Sequence, residues 1–246
     1  MSTPIFDPRI RPAALGLFCL ALAGCVGGLG ASAPREAIVT QSAIIVTGPE
    51  GFCVDETATR DDGATAFVLL GNCAAISSSR RADQPSVPAV LTAAISAPSD
   101  EGAIADSLGE LDAFFRSEQG LALLSRSQDP ETVTVLDTRI EGDMFLLHAS
   151  DVSAGSVEGV QRDYWRAYLD LGQRITTLSV LALEDREVSE AESLATLRAF
   201  AGAVQAANAG LGDTAPIVAP AVPVEAVQPP PSGGLFNVGL FRRIFG

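Results

Sequence analysis

Catalysis needs nucleophiles, bases and ligands, and this chain carries few of them. Its 16 basic residues are all arginine, and His148 is its single histidine. Without lysine there is no Walker-type phosphate loop, no Schiff-base or pyridoxal nucleophile and no kinase-type phosphate clamp. One histidine also excludes a multi-histidine zinc site within the chain. Three small groups remain. His148 has Ser150 and Asp151 close in sequence, the residue types of a hydrolytic triad. A triad is assembled in space, and neighbours two and three positions along a strand end do not make one. No Gly-x-Ser-x-Gly elbow occurs. His148 therefore reads as a strand histidine satisfied by its neighbours, with a hydrolase as the remote alternative. The pairs Asp55-Glu56 and Asp61-Asp62 offer oxygens to a divalent cation. They lack the alternating spacing of a calcium loop and read as solvated acidic loops. Tyr164, Trp165 and Tyr168 fall together on one strand. Trp165 reads as core and the tyrosines as sheet surface. Tyr164 and Tyr168 become the candidate pocket if their face lies open between helices. The expectation is no metal, no cofactor and no catalytic residue, so not an enzyme.

The start of the chain is more specific. Leu22-Ala23-Gly24-Cys25 closes an apolar run, Ala13 to Gly24, that follows Arg9 and Arg11. A basic start, an apolar middle and small residues at the cleavage point make a secretory signal. A cysteine directly after Leu-Ala-Gly resembles the lipobox of bacterial lipoproteins. The resemblance implies that residues 1–24 are removed as a signal peptide and that Cys25 becomes a lipidated N-terminus in the bilayer. An ordinary secretory signal with a chance cysteine is the alternative. A transmembrane helix is disfavoured, because the apolar run is about 12 residues and a span needs roughly 20. Each buried acyl methylene contributes about 0.8 kcal/mol, so several chains on one cysteine would hold the protein almost permanently. Val26, not Asp, follows Cys25. Under the enterobacterial sorting rule this directs the protein to the outer membrane, facing the periplasm.

That resemblance also sets the thiol count. Cys19 would leave with the signal and Cys25 would carry lipid, so Cys53 and Cys73 remain. In an oxidising compartment they are expected to form a disulfide. Two free buried thiols or a metal pair are the alternatives, and two cysteines without nearby histidines make a poor metal site. Closing a loop of about 21 residues would stabilise by roughly 3 kcal/mol in the chain-entropy model. The signal would take Arg9, Arg11 and Asp7 with it, so 16 basic and 30 acidic residues fall to 14 and 29. So acidic a surface excludes nucleic acid as a partner and disfavours broad contact with anionic headgroups.

Elements must position these groups. Residues 25–36 are small and Gly-rich, a flexible tether. Ala37 to Val46, Ala66 to Leu70 and Ala89 to Ile95 read as strands, with a polar loop from Ser77 to Pro88. Ile104, Leu108, Leu111 and Phe115 recur at helical spacing, with Gly120 as the stop. Val133 to Val135 and Met144 to His148 form a hairpin around Glu141-Gly142-Asp143. On the next strand Trp165, Ala167 and Leu169 share one face, and Tyr164, Arg166 and Tyr168 the other. Gly172 turns into Ile175 to Leu183. A last helix starts at the Ser189/Glu192 capping box and stops at Asn208 and Gly210.

The order is β-β-β-α-β-β-β-β-α, an α+β domain over residues 37–209. The expected antiparallel sheet has about six to seven strands covered by two helices. The run Gly48-Pro49-Glu50-Gly51-Phe52-Cys53-Val54-Asp55 resembles the early strand and Pro-x-Gly-aromatic turn of PsbP-like and DcrB-like extracytoplasmic domains. The middle helix, meander and C-terminal helix follow in a similar order over about 170 residues. The resemblance implies a lipoprotein or an accessory subunit of a larger assembly, and carries over no catalytic residue.

Residues 210–234 are a Pro/Ala/Val-rich linker, read as disordered. At about 3.1 Å per residue, Thr214 to Gly234 would reach roughly 65 Å. Residues 235–246 follow as a short amphipathic segment. As a helix it gathers Phe236, Leu240, Phe241, Ile244 and Phe245 on one face, with Arg242 and Arg243 outside it. The expected function is a non-enzymatic envelope lipoprotein acting as an accessory or assembly module. Its C-terminal segment would dock an envelope protein partner or a membrane. A ligand-binding or carrier lipoprotein with a cleft against the sheet is the alternative.

Overall fold

The computed structural model describes residues 32–41, 44–99, 104–153 and 159–211. The chain opens with β1 (Glu36–Val39) paired to β2 (Ile44–Thr47). Then come β3 (Phe52–Val54), β4 (Arg60–Asp61), β5 (Ala66–Asn72), the single-turn α1 (Cys73–Ile76) and β6 (Ala89–Ile95). A 3-10 turn (Ile104–Ser107) leads into α2 (Leu108–Phe115) and α3 (Glu118–Leu124). A meander follows: β7 (Val133–Glu141), β8 (Met144–Asp151), β9 (Val160–Leu171) and β10 (Arg174–Leu183). The last element is α4 (Glu190–Ala207).

The fold is α+β. Eight strands form one antiparallel sheet in the order β3-β5-β6-β10-β9-β8-β7, with β4 also on β5, and β1-β2 is a separate ribbon. Because β6 pairs with β10, the α2–α3 stretch must carry the chain from the middle of the sheet to its far edge. The meander then walks back.

Period-two alternation sorts side chains onto two faces. One face holds Val68, Leu70, Leu91, Ala93, Trp165 and Val180 beneath α4 and the ribbon. The α4 stripe of Leu194, Leu197, Phe200, Ala201 and Val204 repeats at helical spacing and is buried. Ser189 and Glu192 form the expected capping box, each side chain satisfying the other's backbone. At the other end the Asn208 side chain donates to Ile45 O at 2.7 Å and accepts from Ile45 N at 2.9 Å. One residue thus stops α4 and ties it to β2. The opposite face holds Phe145, Leu147, Tyr164 and Tyr168 under Leu111, Phe115 and Leu124 of α2 and α3.

Cys53 on β3 and Cys73 at the start of α1 are bonded, the expected pair. The bridge fixes a three-residue edge strand to the helix that follows β5.

Three expectations need correction. The run from Ala37 to Val46 is not one strand, because Thr40 and Gln41 adopt left-handed φ of 56° and 59° and the chain folds back as a ribbon. The two expected helices become four among the described residues. Asn72 caps α1, its side chain accepting from Ala74 N. The middle helix breaks after Phe115 and restarts where the Ser117 side chain accepts from Gly120 N. Gly120 is therefore not a stop; it lies inside α3. The strand count rises because β3 and β4 add to the sheet, while the run expected as one strand is the separate two-stranded ribbon.

Gly120 is there for space. A Cβ on it would sit 2.0 Å from Phe114 O, a backbone atom that cannot rotate away. Gly109 on α2 has nothing within 4 Å of the same position. Gly120→Ala should lower stability by about 1–3 kcal/mol, the usual cost of overpacking, while Gly109→Ala should not. Equal denaturant midpoints for the two variants would contradict the close contact between α2 and α3.

Candidate functional site

His148 lies on β8, on the α4 side of the sheet, and is buried. Its ring stacks on Trp165 of β9, with centroids 4.6 Å apart and planes 6° from parallel. Its Nδ1 is 4.0 Å from Glu190 Oε1, in the first turn of α4. Arg139 of β7 closes the group, its guanidinium 5.2 Å from the Trp165 ring and its Nη2 3.7 Å from Glu190. This is a packed aromatic–cation stack where the helix starts. Asp151 is on the other face, three residues along the strand. It is fully buried and accepts N–H bonds from Ser153 at 2.8 Å and Arg126 at 3.0 Å. The carboxylate near His148 is thus Glu190, and His148 and Asp151 are on opposite faces of the sheet.

Tyr164 and Tyr168, the candidate pocket pair, are 2% and 1% exposed. They sit under α2 and α3, not along a cleft. The Tyr168 ring lies 4.8 Å from Phe115. The Tyr164 hydroxyl donates to Leu124 O at 3.2 Å, and the Arg166 guanidinium sits 4.7 Å over the Tyr164 ring. Burial pushes the Tyr168 hydroxyl up to about 12, against the pull of the Arg166 charge. The helices expected to flank this face cover it.

The acidic pairs build turns. Asp55 accepts from the Thr57 backbone and hydroxyl. Asp61 accepts from Gly63 N and Thr40 N, and Asp62 from Ala64 N and Thr65 N. The Thr57 hydroxyl bond holds the Asp55 carboxyl below the usual carboxylate range, and the Thr65 and Ala64 N–H bonds do so for Asp62.

The feature that sequence reading missed is an incompletely covered sheet face. Register places Phe67 opposite Ala94, Leu69 opposite Thr92, and Val90 opposite Leu181. These rows continue into Tyr168, Arg166 and Tyr164 on β9. Past β9, α2 and α3 cover the face; on β5, β6 and β10 these six side chains keep partial exposure, Phe67 most at 38%. None of the six carries a charge. A cleft of about 310 Å³ beside Phe67 and Ala94 includes Arg60, Asp61 and Asp62. Another, of about 350 Å³, beside Leu69 and Val90, includes Asp55, Asp185 and Arg186. The strip is therefore uncharged along its length, with aspartates and arginines at its ends. The signal was in the sequence. β5 and β6 are apolar at odd and even positions alike, as in strands covered on both sides.

Cys25 and the segment from Phe236 to Phe245 lie outside the described residues. Among the described residues no helix is long and apolar enough to cross a membrane. The sequence matches no protein-family model and no curated protein.

Asp151 provides a pH test. Burial raises its carboxyl, but the Ser153 and Arg126 N–H bonds and the Arg126 charge outweigh that, and its pKa falls below the ordinary value. A depressed folded pKa contributes stability that is complete above about pH 4 and lost as pH falls through the folded value. Asp151→Asn should flatten stability between about pH 4 and pH 2 and lower it at neutral pH by about 1–3 kcal/mol, because one oxygen becomes a donor facing donors. Chemical denaturation across that range would show the difference; parallel curves for the two proteins would exclude the role.

Proposed function

We propose that the chain is a lipid-anchored accessory or assembly module of a bacterial cell envelope, facing the periplasm from the outer membrane and without a catalytic centre. The observation that carries this is the Cys53–Cys73 disulfide. Such bridges persist in oxidising compartments, and an exported chain reaches one. The leader ending in Leu22-Ala23-Gly24-Cys25 supplies the export signal, and Cys25 the anchor. The order of helices and antiparallel strands, with its resemblance to PsbP-like and DcrB-like domains, supports an accessory role. So does the small chemical repertoire, in which the one histidine is stacked in a core.

Cys25→Ser should abolish incorporation of labelled palmitate and move the protein from the membrane to the soluble fraction. An unchanged distribution and label would refute the anchor.

The C-terminal segment is the docking element in this proposal. Phe236, Leu240, Phe241, Ile244 and Phe245 supply apolar contact, and Arg242 and Arg243 the charge. Its target is an envelope protein or a membrane surface. The cleft of about 350 Å³ beside Leu69 favours a second possibility, a carrier of a small apolar ligand. Affinity capture from envelope membranes, with the intact chain and with Phe241→Asp/Phe245→Asp, distinguishes a docking tail from an idle one. Partners lost with the substitutions are expected; identical partner sets would sink the docking role.

A further inference from the structure

We propose that the open strip on β5, β6 and β10 is the seat of the chain's own C-terminal segment, residues 235–246. The proposal rests on the docking role given to that segment above. Phe67, Leu69, Val90, Thr92 and Ala94 offer an uncharged surface on β5 and β6 that reaches β10 only at Leu181, since Thr177 and Ser179 in the same rows are buried. A sheet face of this kind is normally covered by a helix, as α2 and α3 cover the other half of the same face. Twelve residues as a helix extend about 18 Å. Two strands spaced about 4.8 Å apart present a strip about as wide as a helix, along which such a helix can lie.

Charge selects among occupants. The clefts at the two ends of the strip hold four aspartates, Asp55, Asp61, Asp62 and Asp185, against Arg60, Arg186 and the neighbouring Arg174, which leaves one net negative charge, at the Asp55/Asp185 end. A second copy packed on this face would bring aspartate to aspartate, and an anionic lipid surface would meet the same repulsion. Residues 235–246 carry Arg242 and Arg243 and no acid. They match the strip in both apolar content and sign.

The chain reaches. The described chain ends at Leu211, beyond α4 on the opposite face. Thr214 to Gly234, extended at about 3.1 Å per residue, spans roughly 65 Å. A domain of this size is about 40 Å across. Tethering also sets the local concentration near the millimolar range, so an intrinsic dissociation constant of about 0.1 mM suffices for roughly ten-to-one occupancy. A partner for the tail must then compete with this face.

The test is photo-crosslinking in the full chain. A photoreactive side chain replaces Leu69 in one variant and Thr92, on the facing strand, in another, so that poor folding of either leaves a reading. A third carries the probe at Ile38, which is 61% exposed on the ribbon. The expected result is a product at monomer mass from the first two, mapping to residues 235–246, and none to that segment from Ile38. Arg242→Glu/Arg243→Glu should cut the yield several-fold. Adducts to a second copy, to lipid or to another polypeptide, or no product on 235–246, would overturn the proposal. The result is independent of affinity capture: an idle tail loses no partners on substitution, whereas a tail that docks elsewhere loses partners yet gives no intramolecular product.

Discussion

The pairing of β6 with β10 holds the two halves of the domain in one sheet. In the sheet, the N-terminal half, β3 to β6, is paired to the C-terminal meander, β7 to β10, along that ladder, from Ile95 with Thr176 to Ala89 with Ala182. Both strands are central, and Leu91, Ala93, Leu178 and Val180 on them are fully buried. The pairing decides where the helices go. The chain leaves β6 in mid-sheet and must return at the far edge, so α2 and α3 are drawn across one face over β9, β8 and β7. The other face is left for α4 and the ribbon, which are tied to each other through Asn208. One face is thus covered across its width and the other only over the meander. The exposed strip is a consequence of connectivity.

Sidedness also explains the fate of the polar groups. β9 carries Tyr164, Arg166 and Tyr168 toward α2 and α3, and Trp165, Ala167 and Leu169 toward α4. Polar heads on either face need partners within the core, since unpaired buried groups cost about 1–3 kcal/mol. Tyr164 finds a helix carbonyl, and Arg166 lies over an aromatic ring. His148 shares the Trp165 face and stacks there. The alternation places His148 on the α4 face and Asp151 on the opposite one.

Local patterns were legible in the sequence and non-local ones were not. β6 was expected over Ala89 to Ile95 and spans those residues. The face assignments on β9 followed from alternation alone, and the α4 capping box from the spacing of Ser189 and Glu192. The cysteine pairing followed from a count that rested on the lipoprotein resemblance. What failed needed either a backbone conformation or a partner. Thr40 and Gln41 are ordinary residues in left-handed geometry, so nothing in their type announces a turn. Gly120 has the composition of a helix stop but serves a contact with Phe114, visible only once α2 and α3 are packed. Tyr164 and Tyr168 were placed on the correct face, yet whether helices cover that face depends on the β6–β10 pairing. The strip beside them was missed for the same reason, although two strands apolar on both faces had declared it.

Charge distribution follows from an arginine-only chain. Within the domain, arginines serve as structural forks more than as a diffuse positive surface. Arg116 bonds Asp112 at 2.8 Å, Arg139 bonds Asp137 at 2.8 Å, and Arg198 reaches Glu141 at 2.9 Å. Arg174 binds the Ala64 and Ser96 carbonyls. A planar, permanently charged guanidinium suits such fixed bidentate and carbonyl contacts better than a lysine ammonium would. Arginines held this way leave the acidic excess to face outward. The net charge of −14 is unchanged by such pairing and is carried by the remaining carboxylates. The adjacent Arg242 and Arg243 then stand out by contrast, because they lie beyond the domain and beside phenylalanines. Opposite sign and shared apolarity are the features that the proposed docking of the tail on the domain would use, and a tether would raise its occupancy at a given affinity.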